Sequence, residues 1–534
     1  MSTAVLVGQH NSIDVTLRLT DSITYAEATG AAGARLPAVW IPVHRVPART
    51  GNQEPDGASM TDNRAAGHWR NQVRVSRETQ EVAMSVSVDV IGYGGGRGAV
   101  ETMPQRLLPP SRDPFYRAPA HLAGYAPGTV LRSRPVRIAL LGVIPQQVSA
   151  WQLLYRSTDL NGRAEAVVTT VLLPSDADPG TPRPLLAFQS AVDAATERCI
   201  PSYALRRGAL VPGSITQLEW VLVANALRRG WAVSIADHEG MHGRFGAPRE
   251  PGYRGLDGVR AALHFAPLDL DSDTPVVVWG YSGGGMAGSW MVEMAPAYAP
   301  ELRIAGAVLG APVGDPGEVF IRLNGGPYAG FPAIVIAALR QTYPALGAVL
   351  DGRIDAAGER LLERAAQLPP IVALARLAGQ DVGSYLDRPL DEVLDGPGMR
   401  EMFDDMRLGQ HTPRCPILIV QPVHDQIIDV SCVDAQVQRY RRGGATVDYI
   451  RDRLSDHFSL LPLATPLSLD WLADRIAGVP VTDTHTRTVW SVAAAPARWR
   501  GLLEMAGTAG RVLLGLPLHH RSEARLPQAE PLAA

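Results

Sequence analysis

Lysine is absent. All 50 basic residues other than histidine are arginines, a bias that reads as GC-rich codon usage rather than chemistry. Cysteine is scarce as well, with only Cys199, Cys415 and Cys432. None of these has the C-x-x-C spacing of a metal site. One pair could bridge, but an odd and sparse set argues against a disulfide framework. Neither charge sign dominates; the net charge is −3, so no global field recruits nucleic acid or an anionic membrane. No run reaches the ~20 apolar residues of a membrane-spanning helix. Met1 to Ser22 is interrupted by Asp, His, Gln and Arg and has no apolar stretch of the length a secretory signal needs. The chain therefore reads as cytoplasmic or peripherally attached. With 534 residues, 46% hydrophobic and 19% charged, it suits a soluble globular protein of two domains, or of one domain with insertions.

Residues 1–105 have broken apolar periodicity and read as a poorly structured extension. Gly92-Tyr93-Gly94-Gly95-Gly96-Arg97-Gly98 fits neither G-x-G-x-x-G nor a P-loop, since the Lys and Ser/Thr are missing, and reads as a linker. Met103 is a candidate start of translation. Beyond Pro109 apolar runs alternate with helical spacing. Strands are expected at 137–143, 166–173, 185–188, 231–236, 276–279, 304–309, 416–420 and 447–450. Helices are expected at 215–229, 256–265 and 469–476. That alternation implies an α/β fold with a mostly parallel central sheet flanked by helices. Residues 314–412 break the rhythm with helical patterns at 333–342, 356–368, 371–377 and 397–406. They read as a helical cap or lid inserted into a core of residues 106–313 and 413–480.

Within that core, Gly280-Tyr281-Ser282-Gly283-Gly284 follows the apolar run Val276-Val277-Val278-Trp279 and precedes a helix-compatible stretch, Met286 to Met294. Strand, tight Gly-x-Ser-x-Gly turn and helix form the context of a nucleophile elbow. Flanking glycines remove the Cβ atoms that would clash there, and the helix N-terminus favours a developing oxyanion. A serine hydroxyl needs a base, and the base needs an orienting acid. Following the strand at 416–420, Asp425 is expected as the acid, with Asp429 as its alternate. His457, in the loop beyond the strand at 447–450, is expected as the base. The order Ser, Asp, His is that of α/β-hydrolases.

Several further blocks accompany these residues. They include Phe188-Gln189-Ser190-Ala191-Val192-Asp193, Cys199-Ile200-Pro201-Ser202-Tyr203, Asp237-His238-Glu239-Gly240, Leu256-Asp257-Gly258-Val259-Arg260-Ala261 and Asn324-Gly325-Gly326-Pro327-Tyr328-Ala329-Gly330. On these blocks and the elbow, the chain from about Asp113 to Gly478 resembles the secretory lipase family of α/β-hydrolases. The resemblance implies that a protonated Asp193 holds the oxyanion together with the Gly283 N–H. It also implies a lipid or ester substrate and no metal or organic cofactor. Where the family often has Asp-Ser, this chain has Asp193-Ala194, and the family's usual Tyr-Gln is Phe188-Gln189 here.

One motif points elsewhere. His238-Glu239-Gly240-Met241-His242 matches H-E-x-x-H, whose zinc chemistry needs both histidines on one helical face. The glycines and prolines that follow make a helix there unexpected. Residues 481–534 extend past the core. Trp499, Leu502, Leu503, Ala506, Ala509 and Leu513 fall at helical spacing with Arg498, Arg500 and Arg511 nearby. This is an amphipathic helix for the hydrolase body or for a lipid surface, followed by about a dozen residues that look disordered.

The expected activity is a serine-dependent carboxylic ester hydrolase, foremost a triacylglycerol lipase. An esterase or acyltransferase on small or non-lipid acyl groups is the nearest alternative. A zinc peptidase and a non-catalytic hydrolase-fold binding protein are more distant ones.

Overall fold

In the computed structural model, residues 107–519 are described except 179, 341 and 483, together with the backbone of five strands nearer the N-terminus. The chain forms two units, Met1–Pro104 and Gln105–Ala534. In the first, Ser2–Leu6, Ile13–Leu19 and Thr24–Gly30 make an antiparallel sheet, and Arg70–Arg77 pairs with Gln80–Ser87. The Gly92–Gly98 linker, the Met103 start and the last dozen residues lie outside the described residues.

The second unit is built on a ten-stranded sheet. Its strands are β1 (Val130–Pro135), β2 (Ser149–Thr158), β3 (Ala164–Leu173), β4 (Leu185–Gln189), β5 (Ala232–Ala236), β6 (Val276–Tyr281), β7 (Ile304–Gly310), β8 (Ile417–Pro422), β9 (Val447–Asp452) and β10 (Thr486–Val489). Their order is β10-β9-β8-β7-β6-β4-β5-β3-β2-β1. The seven strands β4 to β10 run parallel, while β1, β2 and β3 are antiparallel to their neighbours. Every residue of β4, β6 and β8 is buried, as expected of parallel strands covered on both faces. Successive side chains leave opposite faces of a strand. Val276 and Val278 accordingly join one core with Val259 and Met291, whereas Val277 and Trp279 join another with Val223 and Leu472.

Helices cover both faces: α1 (Trp220–Arg228), α2 (Glu250–Leu263) and α3 (Gly283–Tyr298). Between β7 and β8 stand α4 (Pro316–Leu323), α5 (Gly330–Leu339), α6 (Pro344–Leu350), α7 (Ala356–Ala365), α8 (Pro370–Arg376), α9 (Leu390–Leu394) and α10 (Pro397–Met406). The two ends of this inserted region meet where Leu408 N–H donates to Gly314 O at 3.2 Å. Arg439 in α11 (Val430–Arg442) donates to both Leu408 O and Gly314 O. Helices α12 (His457–Ile476) and α13 (Pro496–Leu513) complete the body.

Several sequence expectations about the sheet and its helices need correction. Residues 137–143 are not one strand: Ala139–Leu140 pairs with Ile144–Pro145 across a tight turn in which Leu141 has φ 52°. The helix expected at 215–229 is interrupted at Glu219, whose buried carboxyl turns inward to accept the Ala191 N–H. Strands β1, β2 and β10 lie outside the expected set.

Candidate active site

Ser282 sits between β6 and α3 with φ 55° and ψ −121°. A non-glycine residue keeps such a conformation only where its surroundings impose it. They do so here through close backbone packing: a Cβ on Gly280 would lie 2.1 Å from Gly284 O, and one on Gly284 would lie 2.1 Å from Gln189 O. Ser282 N–H donates to Gly310 O at 2.9 Å, and its carbonyl accepts from Met286.

The loop after β8 and the start of α12 bring Asp425 and His457 to this serine. His457 Nε2 lies 2.9 Å from Ser282 Oγ, and His457 Nδ1 lies 2.8 Å from Asp425 Oδ2. The other Asp425 oxygen accepts Ile427 N–H and Ile428 N–H, each at 2.8 Å. Both donors fix the plane of the carboxyl group. A proton on Nδ1 facing that carboxylate leaves Nε2 as the acceptor for the serine hydroxyl. Asp425 and His457 are both buried. Asp429, the alternate acid, is elsewhere: it caps α11 through Ser431 N–H and pairs with Arg322. His457 begins a helix rather than lying in a loop. Asp456 is the N-cap, in a capping box with Ser459.

Against Gly283, the residue after Ser282, lies Asp193, in the loop after β4, with φ 47°. Its Oδ1 is buried without a hydrogen-bond partner, and a Cβ built on Gly283 would stand 1.8 Å from it. The carboxyl is therefore pressed against the backbone that follows the serine. Burial pushes Asp193 up to about 7. Nearby, burial raises Glu219 to about 8 and Asp237 to about 7.

Ser282, Gly283 and Asp193 open onto an apolar cavity of about 60 Å³, walled by Met286 and by Val319, Phe320, Phe331, Val335 and Met406 of the inserted helices. A second apolar cavity of about 40 Å³ lies among those helices and shares Pro316, Phe320, Val335 and Met406 with the first.

The H-E-x-x-H residues form turns, not a helix. His238 is buried with Nε2 2.7 Å from Ser190 O, and desolvation lowers it to about 4. Glu239 is buried, and His242 is exposed. Among the described residues no cluster of three His, Cys, Asp or Glu is arranged to hold a metal. The three cysteines are buried and unpaired.

Some neighbours of the site escape a linear reading. Tyr281 OH donates to His457 O at 2.6 Å. Gln426 Oε1 accepts His457 N–H at 3.1 Å. Gln421 Nε2 reaches Asp425 Oδ2 at 3.3 Å. Glu219 accepts the Ser190 hydroxyl at 2.5 Å. Of these, Tyr281 alone has a place in a sequence motif, as the x before the serine in Gly-x-Ser-x-Gly.

Residues 205–484 match the family model "Secretory lipase". The chain is 49% identical over 428 residues to "Probable inactive lipase MT1628" of Mycobacterium tuberculosis, covering 80% of this chain and 96% of that protein. It is 34% identical over 436 residues to Lipase A of Arthroderma benhamiae, covering 80% of this chain and 92% of that one. The crystal structure of Candida antarctica lipase A superposes with a TM-score of 0.68 at 25% identity, covering 77% of this chain and 98% of that one. With the α/β-hydrolase sheet, the elbow geometry and a family match over more than half its length, the chain belongs to the secretory lipase family.

Proposed function

We propose that the protein is a serine-dependent carboxylic ester hydrolase, foremost a triacylglycerol lipase. The observation that carries this reading is the hydrogen-bonded series Ser282–His457–Asp425 opening onto an apolar cavity. Ser282 Oγ attacks the ester carbonyl as His457 Nε2 takes its proton. Asp425 holds the imidazole tautomer and stabilises the imidazolium. The tetrahedral oxyanion is held by Gly283 N–H and the protonated Asp193 carboxyl. Removing one such donor costs ~10²–10³ in kcat. The imidazolium then gives its proton to the leaving alcohol. Water, deprotonated by His457, attacks the acyl-enzyme and releases the acid and Ser282.

The cap walls support an acyl substrate, because a cavity lined by Phe320, Phe331 and Met406 offers an alkyl chain dispersion contacts and no polar partner. An esterase or acyltransferase on smaller acyl groups would use the same residues. Contact with a lipid surface is supported by the exposed Trp499, Leu503, Leu513 and Leu514 on and beside α13. A second reading, a non-catalytic binding protein, has one support: the relative whose name calls it inactive. The test is hydrolysis of p-nitrophenyl esters from short to long acyl chains, with Ser282→Ala alongside. Turnover lost in Ser282→Ala supports the enzyme, and its absence from the unmodified protein supports the binding reading.

A further inference from the structure

The glutamate of the H-E-x-x-H sequence is unused by the chemistry above, yet it touches the oxyanion loop directly. Glu239 lies in the turn after β5 and is only 3% exposed. One of its oxygens accepts Asp193 N–H at 3.0 Å, and the other accepts Ala194 N–H at 3.5 Å. These bonds hold the peptide of a residue whose φ of 47° is otherwise unfavourable. The two carboxyls are unequally served. Glu239 has two backbone donors and the field of the buried Arg254 guanidinium, whereas Asp193 Oδ1 has no hydrogen-bond partner.

We infer that Glu239 is the positioning residue of the oxyanion site: it holds the Asp193 peptide in its left-handed conformation and, as the anionic member of the pair, keeps the Asp193 carboxyl protonated and able to donate. This rests on the proposed ester hydrolysis, in which Asp193 holds the oxyanion.

When two buried carboxyls lie close together, one ionises at the expense of the other. Desolvation comes first in raising both, Asp193 to about 7 and Glu239 well above its ordinary value, and repulsion between the two charges comes second at Glu239, so the two do not ionise together. Hydrogen bonding to the charged form then decides between them. Two backbone donors at Glu239, against none at Asp193 Oδ1, favour the anion at Glu239 and leave the proton on Asp193. Other titratable groups bear on the pair from each side. Glu219, beside α1, couples to Asp193. Arg254, on α2, faces Glu239 and is itself paired with Glu165 and Glu250. Cys199 is pushed up to about 12 by burial first and the Glu239 charge second. His457 bonds to Ser282, whose neighbour Gly283 packs against Asp193.

The experiment compares the full-length protein with Glu239→Gln, Asp193→Asn and the double variant. It uses kcat and KM for a short p-nitrophenyl ester across about pH 5 to 10, and ¹³C NMR titration of the Asp193 carboxyl. The expected result for Glu239→Gln is a fall of about tenfold or more in kcat with KM little changed. The basic limb of the profile and the Asp193 titration should both move to lower pH. In the Asp193→Asn background, Glu239→Gln should leave the limb where it is. If Glu239→Gln fails to fold, Glu239→Asp takes its place: it retains the charge with a shorter reach, so kcat falls while the limb stays. A uniform loss at all pH with an unmoved Asp193 titration would overturn the inference and leave the hydrolase reading intact. Absence of Ser282-dependent turnover would overturn the hydrolase reading, while the Asp193 titration still decides the coupling.

Discussion

The hydroxyl of Tyr281 donates to the backbone carbonyl of His457 at 2.6 Å, and the two rings lie 5.5 Å apart. The residue preceding the elbow serine thus ties β6 to the first turn of α12, across 176 residues of chain. Separation of serine from imidazole is set by this backbone contact as well as by the side-chain hydrogen bond. Tyr281→Phe keeps the ring and removes the donor. It is expected to cost ~0.5–1.5 kcal/mol of stability and to lower kcat several-fold with KM nearly constant, because misplacement of the base is felt in the chemical step. Chemical denaturation and steady-state kinetics check both. An unchanged kcat would mean that Asp425 and the Asp456 cap hold His457 unaided.

Buried carboxyls give stability a pH dependence of definite sign. The folded-state value of Asp193 is raised to about 7, against ~3.9 for an unfolded aspartate. Between those values the native state binds more protons than the unfolded state, so stability falls as pH rises and levels off above about 7. Asp237, Glu219 and Glu293 act in the same direction, at about 7, 8 and 7. Asp193→Asn removes one of these groups. Its melting temperature, relative to the unmodified protein, should rise progressively from about pH 4 to about 7. A constant offset across that window would mean that Asp193 is not perturbed by burial.

Phe320 and Met406 line both cavities among the inserted helices, so they form the junction a long acyl chain would cross. Phe320→Ala removes bulk at that junction. The ratio of kcat/KM for a long over a short p-nitrophenyl ester should rise several-fold, since each methylene placed in an apolar pocket is worth ~1–3 kcal/mol. Equal effects on all chain lengths would place the acyl group elsewhere.

Trp499 and Leu503 are 62% and 73% exposed on α13, one helical turn apart and therefore on one face. Replacing both with serine should abolish co-sedimentation with phospholipid vesicles while leaving hydrolysis of a soluble short-chain ester intact. Deleting residues 490–534 should have the same effect on vesicle binding. Unchanged sedimentation would restrict α13 to packing on the body, where Gly501 meets Pro466 and Arg498 pairs with Asp470.

Much of this site is readable in the chain because parallel strands buried on both faces are continuous apolar runs. Val276 to Trp279 and Ile417 to Val420 could be found on that ground alone, and with them the loops that carry Ser282 and Asp425. The antiparallel strands were harder. β1 has no fully buried residue, and the apolar run at 137–143 is a hairpin turn. His457 reads as a loop residue, although Asp456 and Ser459 carry the spacing of a helix cap. In the sequence Glu239 belongs to the H-E-x-x-H motif and to the Asp237–Gly240 block, and neither assigns it a role. Its partner N–H groups lie 45 and 46 residues away, and no local pattern reports a hydrogen bond formed across two strand ends.

The most direct measurement is the p-nitrophenyl ester series on the unmodified protein, Ser282→Ala and Asp425→Asn. An ester hydrolase working through Ser282 and His457 should lose turnover in Ser282→Ala and fall by ~10⁴ in Asp425→Asn, where the imidazole tautomer is wrong. Rising activity toward long chains would identify a lipase. Turnover that survives Ser282→Ala, or none in the unmodified protein, would contradict the assignment.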